Sequence, residues 1–581
     1  MNAVFSSEDT GDDAALSYGR ELLRHIDVRG TGTQTSPLTY STDLPARVAG
    51  HTNWPQWAHP AVVRALSNQG ITAPWTHQAD TANHANSGSH VVVSTGTASG
   101  KSLGYQLPIL TALVEDPQAR ALYLSPTKAL GADQLRAVTT LCDDELAGIH
   151  PGAFDGDTSI EARNWARENS RWIFTNPDML HVSLLRGHAR WAHFLRKLRY
   201  VVIDECHSYR GIFGSHVAWV IRRLRRLAAR YGAHPTFILA SATTSEPAAA
   251  ASRLIGAPCV EVTEDGSPHG PRTVALWEPP LMTDVVSENG VPVRRPATTE
   301  AARLMADLVT EGARTLTFVR SRRAAETTAL AARRILADRG SDLHSRVASY
   351  RAGYLAEDRR ALETALADGE LLGAATTNAL ELGVDIAGLD AVVVAGFPGT
   401  VASFWQQGGR SGRRGEGSLV VLVARDDPLD MYLVHHPEAL LGRPIEAAVT
   451  DPTNPYVQGP QLLCAAAEHY LTHDEVAEYG ALELLRRLAE DGLIRRRERG
   501  WYVTAGADPH AGVDIRGGIG MQVAIVDGEC GRLLGTVDAG RAPATVHPGA
   551  VHIHQGESFV VDELDLEQGV ALVHAEEPDW S

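Results

Sequence analysis

A chain of 581 residues is too long to fold around one hydrophobic core, so its length predicts about three or four domains. The hydrophobic fraction of 44% and the charged fraction of 21% are ordinary for a globular protein, and no apolar run is long enough to span a membrane. The five cysteines include no C-x-x-C pair, which argues against a disulfide framework or a zinc tetrad and predicts a cytoplasmic protein. The net charge of −17 argues against nonspecific coating of nucleic acid but leaves a confined basic groove open.

The first four segments in chain order differ in composition. Residues 1–53 are rich in Ser, Thr, Gly and Asp and are predicted to form a partly ordered extension. Over residues 54–268, short apolar runs alternate with helical patterns, which is typical of a parallel sheet covered by helices on both faces. The prolines of residues 269–297 predict a linker, and a second alternating α/β unit follows over residues 298–450.

The last two segments predict smaller domains. Residues 451–510 start with a proline-rich turn and continue with helices and a basic hairpin that has glycine at its tip, a pattern typical of a winged helix. Over residues 511–581, short strands separated by glycine predict a small β-barrel. The predicted fold class is therefore α/β, with two tandem parallel-sheet domains followed by a winged-helix domain and a small β-barrel.

The first α/β unit contains the most informative local motif. The apolar residues 91–93 predict a buried strand, and the glycine-rich turn after it ends in Lys101 and Ser102. Such a turn directs backbone N–H groups at one phosphate, while the lysine adds a positive charge and the serine hydroxyl a Mg²⁺ ligand. The strict pattern has glycine where this chain has Thr95. The predicted phosphate-binding residues are Thr95, Gly96, Thr97, Ala98, Ser99, Gly100, Lys101 and Ser102.

Two acids follow a second apolar run. Residues 200–203 predict a buried parallel strand, and Asp204 and Glu205 come directly after it. Because the carboxyl ends of parallel strands share one edge of a sheet, both carboxylates are predicted to face the phosphate-binding loop. Asp204 and Ser102 are placed to hold Mg²⁺, and Glu205 to orient or deprotonate the attacking water. These residues predict hydrolysis of ATP with Mg²⁺.

The second α/β unit has no phosphate-binding loop but carries arginines that can complete a site on the first. After Gln406, Arg410 and Arg413 stand three residues apart, on one face if the segment is helical. Two such guanidinium groups can act as arginine fingers on a γ-phosphate. We therefore predict that ATP binds between the two units and that Gln406, Arg410 and Arg413 belong to the catalytic site.

The order of these segments resembles the motif set of superfamily-two helicases, over about residues 54–425. The resemblance implies two tandem RecA-like domains. The matching segments are residues 75–78 (the adenine-reading segment), 95–102 (motif I), 204–207 (the DExH box), 241–243 (motif III), 376–385 (motif V) and 406–413 (motif VI).

The resemblance also implies roles for residues outside these catalytic groups. His207, Ser241 and Thr243 would couple the state of ATP to the closure of the two domains. Gln78 would form two hydrogen bonds with the adenine base. The further nucleotide-binding residues that it implies are Gln78, Gly383 and Asp385.

Finer details resemble one clade of these helicases. Residues 96–102, 204–217 and 554–559 are similar to segments of the bacterial DNA helicases that include MrfA (also YprA) and SftH, with a fungal RecQ-like relative. Cys206 stands where these relatives have alanine, a small-for-small change that we expect to be tolerated. The relatives end in a domain with a four-cysteine metal site, and we expect this chain to lack that domain and its zinc.

Movement along a strand irrespective of its sequence requires contacts to the nucleic-acid backbone. Small hydroxyls and turn amides after strand ends suit single phosphates, although the same residues also cap helices, so both interpretations stay open. Aromatic side chains can stack on bases, and a basic hairpin can contact a duplex. The predicted nucleic-acid contacts are Thr127, Lys128, Thr175, Asn176, Arg320, Arg322, Thr376, Thr377, Trp405, Arg495, Arg497 and Trp501.

The resemblance implies an ATP-dependent helicase that moves 3′ to 5′ on single-stranded DNA and contributes to DNA repair. We expect a monomer, associated with the nucleoid, whose partners are single-stranded DNA and single-strand/duplex junctions. An RNA helicase stays open, because no residue reports on recognition of the 2′-OH. A clamp that binds ATP without unwinding is the other alternative, and the presence of every catalytic residue disfavours it.

Overall fold

The computed structural model describes residues 17–30, 36–286, 292–351, 353–381, 388–412, 417–516 and 522–578. Across this part of the chain the strands form two seven-stranded sheets, one five-stranded sheet and two hairpins. The strands are β1 (Leu38–Leu44), β2 (Val91–Ser94), β3 (Arg120–Leu124), β4 (Pro151–Ala153), β5 (Trp172–Thr175), β6 (Leu198–Ile203), β7 (Thr236–Ser241), β8 (Val260–Val262), β9 (Arg272–Trp277), β10 (Leu281–Val286), β11 (Pro292–Arg294), β12 (Thr315–Phe318), β13 (Val347–Tyr350), β14 (Gly373–Thr376), β15 (Ala391–Ala395), β16 (Ser418–Val423), β17 (Ile494–Arg497), β18 (Gly500–Val503), β19 (Gln522–Asp527), β20 (Leu533–Asp538), β21 (Val551–His554), β22 (Glu557–Asp565) and β23 (Val570–Ala575).

Helices cover the sheets and form most of the winged-helix domain. Short 3₁₀ turns and one π-helical turn, Leu180–Leu185, connect several of them. No helix in the described segments is both long and apolar enough to cross a membrane. The α-helices are α1 (Tyr18–Gly30), α2 (Pro60–Asn68), α3 (Thr76–Asn86), α4 (Ser102–Glu115), α5 (Lys128–Leu141), α6 (Ile160–Asn169), α7 (Pro177–Met179), α8 (Ala192–Arg196), α9 (Gly211–Arg230), α10 (Pro247–Ile255), α11 (Ala297–Thr310), α12 (Arg322–Asp338), α13 (Ala356–Ala367), α14 (Val401–Gly408), α15 (Pro428–His435), α16 (Glu438–Leu441), α17 (Pro455–Glu468), α18 (His473–Glu478), α19 (Leu482–Glu490) and α20 (Ala542–Thr545).

The first lobe is a parallel sheet with the strand order β4-β5-β3-β6-β7-β2-β8. Its central strands are buried along their whole length, which explains their continuous apolar runs, because both faces of the sheet are covered. The loops after β2, β6 and β7 leave the same edge of the sheet. The predicted phosphate-binding residues and residues 204–207 therefore lie at the same edge of the sheet, as the strand context predicts.

The second lobe has the strand order β1-β9-β16-β15-β12-β14-β13, parallel except for β1, which runs antiparallel to β9. Here the structure differs from the predicted extension over 1–53 and linker over 269–297. Helix α1 packs Leu22, Leu23 and Ile26 into the core of this lobe, beside β1, and β9 is an internal strand of the sheet. Strands β1 and β9 are difficult to predict from the sequence because polar residues and prolines surround them.

The winged-helix domain is confirmed. Helices α17, α18 and α19 pack against the hairpin β17-β18, and α18 begins at a capping box formed by Thr472 and Glu475. Gly500 starts β18 rather than forming the hairpin tip, and a Cβ there would lie 2.0 Å from the carbonyl oxygen of Leu471. Close backbone approach, together with a φ of +144°, explains this glycine.

A buried polar network fastens the winged-helix domain to the first lobe. Arg223 of α9 is 1% exposed, donates through Nε to Glu468 Oε1 at 3.0 Å, and donates through Nη1 to Gln461 Oε1 at 2.8 Å and His181 Nδ1 at 2.9 Å. His510 Nε2 lies 3.1 Å from the same Glu468 oxygen. Burial alone would raise the pKa of Glu468, but Arg223 and His510 lower it to about 2. Glu468 is therefore ionised at neutral pH inside the interface.

Replacing Glu468 by glutamine should destabilise this unit by about 3–5 kcal/mol, because it leaves the Arg223 charge buried without its counter-ion. In the native chain, the stabilisation from this carboxylate is present above the unfolded pKa of 4.5 and is lost as the pH falls towards about 2. Urea unfolding measures both effects. Glu483→Gln, on the exposed face of α19, is the matched control and should cost under about 0.5 kcal/mol. Equal unfolding midpoints for the two variants would contradict this account.

The carboxyl-terminal sheet has the strand order β20-β19-β23-β22-β21 and docks on the second lobe. Among the described residues its two edge strands do not pair, so the predicted small β-barrel takes the form of an open, curled half-barrel. The turn between β21 and β22 contacts a buried ion pair of Glu326 and Arg351. Arg351 Nη2 donates to the carbonyl of Ile553 at 2.8 Å, and Gln555 N–H donates to Glu326 Oε1 at 3.3 Å. The segment over 554–559 therefore serves domain docking.

Candidate active site

The loop between β2 and α4 has the shape of a phosphate cradle. Gly100 has φ +62°, and a Cβ there would lie 2.7 Å from Gln78 Nε2, so this position requires glycine. Lys101 Nζ donates to the carbonyl oxygens of Gly96 at 2.8 Å and Thr95 at 3.3 Å. The Thr95 hydroxyl, in the place of the usual glycine, lies 2.6 Å from Ser99 Oγ, and this bond explains how the loop accommodates it. The lysine side chain thus folds back onto its own loop and binds the backbone of the first two residues.

The two acids after β6 lie at the mouth of this loop. Tyr123 donates its hydroxyl to Asp204 Oδ2 at 2.5 Å, and Glu205 N–H donates to Asp204 Oδ1 at 2.8 Å. Burial, followed by repulsion from Glu205, raises the pKa of Asp204 to about 6. Glu205 has φ +46°, and its Oε2 is buried without a hydrogen-bond partner in the described structure. A buried pair of carboxylates, one of which has an oxygen that accepts no hydrogen bond, fits the donor set that Mg²⁺ prefers.

His207 connects the lobes across the cleft. Its Nδ1 accepts the Ala242 N–H at 3.2 Å, so Nδ1 carries no proton, and Ser241 Oγ lies 3.2 Å from the same nitrogen. Burial, followed by the Lys101 charge, lowers the pKa of His207 to about 4, so the ring is neutral with its proton on Nε2. The side-chain amide of Gln406 in the second lobe contacts that nitrogen through its Nε2. Since amide nitrogen and oxygen are assigned from the hydrogen-bond network, a proton on His207 Nε2 requires the amide to be turned so that its oxygen accepts.

The second lobe reaches the loop through α14 and the residues after it. A Cβ on Gly409 would lie 1.8 Å from Thr97 Oγ1, so only glycine allows this approach of the lobes. Arg410 is 6% exposed and donates to the carbonyl of Glu381 within its own lobe. Residues of both lobes line one cavity of about 490 Å³, among them Thr95, Gly96, Thr97, Thr243, Trp405, Gln406 and Gly409. The predicted residues Gly383, Asp385 and Arg413 lie outside the described residues.

Two predicted base contacts differ in the structure. Trp405 lines the nucleotide-sized cavity between the lobes instead of a strand groove. Trp501 is 3% exposed, lies in the winged-helix core and has the Arg496 guanidinium 5.9 Å from its ring, so neither of its faces is open to a base. The prediction that Trp501 stacks on a base is therefore corrected to a packing role. The arginines Arg495, Arg496, Arg497 and Arg499 are exposed on the hairpin.

Gln78 is engaged within the protein. Its Oε1 accepts the Trp75 N–H at 2.8 Å, and its Nε2 donates to the Gly100 carbonyl at 2.8 Å. Each of these groups has one further hydrogen-bonding position, so the amide can still meet a base while it holds the loop. The structure thus gives Gln78 a supporting role that its sequence context does not indicate.

The predicted strand contacts follow the carboxyl ends of β3, β5, β12 and β14. Thr127 caps α5 through the Leu130 N–H at 3.3 Å, and Asn176 caps α7 through the Met179 N–H at 2.9 Å. Thr175 donates to the Phe154 carbonyl, and the side chains of Thr376 and Thr377 are buried. Thr127, Lys128 and Arg320 are exposed, Lys128 with an ion pair to Asp157 at 2.5 Å, and Arg322 is half-buried.

Sequence reasoning missed three residues of this cleft. Tyr123 comes from the middle of a buried strand, and Arg47 and Asp265 come from connecting segments. Asp265 Oδ2 accepts the Gly96 N–H of the phosphate-binding loop at 3.2 Å. Only the Asp-Gly-Ser turn at 265–267 marks this region in the sequence, and such turns are common in loops.

Comparison with known proteins agrees with this arrangement. Family models match as DEAD/DEAH box helicase over residues 75–251, as helicase conserved C-terminal domain over 300–415, and as the winged helix domain of ATP-dependent helicase HRQ1 over 450–518. The chain is 38% identical over 525 residues to the uncharacterized ATP-dependent helicase YprA of Bacillus subtilis, which covers 89% of this chain and 69% of that protein.

Further relatives and solved structures support the same assignment. The chain is 36% identical to ATP-dependent helicase HRQ1 of Saccharomyces cerevisiae, covering 95% of this chain but 52% of that protein, so it spans about half of the yeast protein's length. The crystal structure of DUF1998 helicase MrfA bound to DNA and AMPPNP superposes with a TM-score of 0.89 at 35% identity, covering 96% of this chain and 77% of the other. The resemblance inferred from the motifs is thus confirmed. The chain belongs to the family of ATP-dependent helicases that includes YprA and HRQ1.

Proposed function

We propose that this helicase acts on DNA, moving 3′ to 5′ along single-stranded DNA with DNA-stimulated ATP hydrolysis, and that it contributes to DNA repair. The single observation that carries the proposal is the cleft between the lobes, which is lined by Thr95, Gly96 and Thr97 of the first lobe and by Gln406 of the second, with Gln406 in contact with His207 of the DExH box. Two crystal structures of the similar helicase MrfA bound to DNA support DNA as the track. A site divided between two lobes is sensitive to whatever draws the lobes together.

We assign the steps of hydrolysis to this chain's own residues. Lys101 and the loop amides bind the phosphates, and Glu205, whose Oε2 is unsatisfied, accepts the proton of the attacking water. Ser102 and Asp204 would hold Mg²⁺, which supplies charge neutralisation of the phosphates when bound. Arg410 exchanges the Glu381 carbonyl for the γ-phosphate, with Arg413 as a second finger. Gly383 and Asp385 are proposed as further nucleotide contacts.

The same proposal names the residues that couple the nucleotide to the second lobe and the residues that contact the DNA strand. His207, with Ser241 and Thr243, carries the state of the nucleotide to Gln406 in the other lobe. Backbone phosphates of the strand lie along the carboxyl edges of both sheets. The proposed contacts there are Thr127, Lys128, Thr175, Asn176, Arg320, Arg322, Thr376 and Thr377.

Unwinding of tailed duplexes tests the direction of movement. A DNA duplex with a 3′ single-stranded tail should be separated in the presence of ATP, whereas one with only a 5′ tail should not. Equal separation of the two substrates would refute the assigned direction while leaving the nucleotide site intact.

The exposed arginines of the β17-β18 hairpin should contact the duplex ahead of the motor. Replacing Arg495, Arg496, Arg497 and Arg499 by glutamine should weaken binding to a tailed duplex and flatten its salt dependence, because log K falls with log salt in proportion to the phosphates neutralised. Fluorescence anisotropy over a range of salt concentrations measures both quantities. ATP hydrolysis at saturating single-stranded DNA should survive, because the ATP site lies in other domains.

The control for the hairpin is Arg486→Gln with Arg487→Gln, on α19 of the same domain. This pair removes two positive charges away from the hairpin and should leave the salt dependence near that of the native chain. If the fourfold substitution also left the salt slope and the unwinding rate unchanged, the hairpin would have no part in DNA binding.

A further inference from the structure

Two connectors cross between the lobes beside the phosphate-binding loop. Residues 45–59 lead from β1 in the second sheet to α2 in the first lobe, and residues 263–271 lead back from β8 to β9. The connectors run side by side, since Arg47 N–H donates to the His269 carbonyl at 2.9 Å and His269 N–H donates to the Arg47 carbonyl at 3.1 Å. A displacement of one lobe relative to the other therefore acts on this pair of segments.

An ion pair joins the connectors and touches the loop. Arg47 Nη2 lies 2.8 Å from Asp265 Oδ2, the oxygen that accepts the Gly96 N–H. Asp265 Oδ1 accepts from the backbone N–H and the hydroxyl of Ser267 at 2.9 and 2.7 Å. Burial opposes ionisation, but the bonds from Ser267 and the Arg47 charge outweigh it and lower the pKa of Asp265. The loop thus holds an internal anion at one of its amides.

This carboxylate borders the cavity that we propose for the nucleotide. Arg47, Asp265, Gly96 and Thr97 line the same 490 Å³ cavity as Trp405. A Cβ on Gly96 would lie 3.2 Å from Asp265 Oδ2, so the carboxylate is seated directly against the loop. Two anions cannot share one amide at this separation without strong repulsion. A phosphate chain that enters the loop therefore has to displace Asp265 or bind less tightly.

We propose that Asp265 is an internal competitor of the nucleotide and that Arg47 is the cation that passes from Asp265 to the nucleotide when the phosphates enter. The inference rests on the proposed nucleotide site. It adds that the two connectors regulate the affinity of that site for nucleotide. Because the competing carboxylate and its cation lie on the two crossings between the lobes, the position of the lobes sets the affinity for nucleotide, and nucleotide binding acts in return on the lobes. An internal competitor also hastens release of the product.

The test is calorimetric titration of the full chain with AMPPNP, ADP and AMP. Asp265→Asn removes the competing charge and should tighten AMPPNP and ADP about tenfold, within the usual range of coupling between sites, and AMP much less because AMP lacks the outer phosphates. Arg47→Ala should weaken AMPPNP. The double variant Arg47→Ala/Asp265→Asn should lie between the two, since it removes both partners of the exchange. Glu264→Gln, an exposed neighbour, is the control for loss of one charge and should change no affinity.

The outcomes distinguish failure of this inference from failure of the proposed nucleotide site. If Asp265→Asn binds AMPPNP as the native chain does, or if Glu264→Gln produces the same gain, the inference is overturned and the nucleotide site stands. If the native chain binds no AMPPNP, or if Lys101→Ala binds it equally well, the proposed site fails and the inference fails with it. A tighter complex in Asp265→Asn alone, opposed by Arg47→Ala, supports the competitor.

Discussion

Replacing Glu205 by glutamine should lower kcat for ATP hydrolysis by about 10²–10⁴-fold and leave nucleotide binding close to that of the native chain. Glutamine has the size of glutamate but cannot accept the proton of the attacking water, and the buried Oε2 of Glu205 accepts no hydrogen bond in the described structure, where His207 Nδ1 lies 3.4 Å from it. Steady-state hydrolysis with saturating single-stranded DNA gives kcat, and titration with AMPPNP gives the affinity.

Lys101→Ala is the informative companion variant. In the native chain Lys101 Nζ lies within the phosphate-binding loop, so loss of the amine should weaken binding of AMPPNP as well as hydrolysis. The two variants therefore separate chemistry from binding. Hydrolysis by Glu205→Gln at the native rate would show that another group activates the water.

Arg410→Ala should lower kcat by about 10³-fold with little change in KM, because an arginine finger contributes mainly in the transition state. In the present structure Arg410 donates to the Glu381 carbonyl, so the finger has to leave that acceptor as the lobes close. Comparing kcat and KM of the variant and the native chain at saturating DNA measures the effect.

Arg410→Lys is the matched control for charge. Lysine keeps the positive charge but not the planar fork, so it should recover only a small part of the rate. If Arg410→Ala raised KM and left kcat unchanged, Arg410 would be a binding residue for nucleotide. That result would leave Arg413 to act as the finger.

The elements that the sequence predicts correctly share one property, which is that their signal is local. Residues 91–102 combine a buried strand with a glycine-rich turn, so strand, loop and chemistry can all be inferred from twelve neighbouring positions. Strands β1 and β9 lack this property. Strand β1 is polar between its terminal leucines, and it is stabilised by pairing with β9, more than two hundred residues away, which no local pattern reports.

The same distinction holds within the candidate site. Asp204 and Glu205 follow an apolar strand and are predictable from it, whereas Asp265 reaches the Gly96 amide from a turn that looks like any other. Trp501 shows the opposite error, because a tryptophan beside four arginines suggests an exposed stacking ring until the fold places it in a core. Side-chain direction at a hairpin depends on the segment that pairs with it, here Leu471 of the same domain, and the local sequence does not report that pairing.

The most direct measurement for the central claim is the rate of ATP hydrolysis with and without single-stranded DNA, with an RNA strand of the same sequence and length as the comparison. The account predicts slow hydrolysis by the protein alone, because Arg410 and the acids lie on different lobes, and strong stimulation by DNA that RNA does not match. Equal rates with and without DNA would contradict the coupling of DNA binding to ATP hydrolysis in the cleft. Equal stimulation by RNA would contradict DNA as the preferred track.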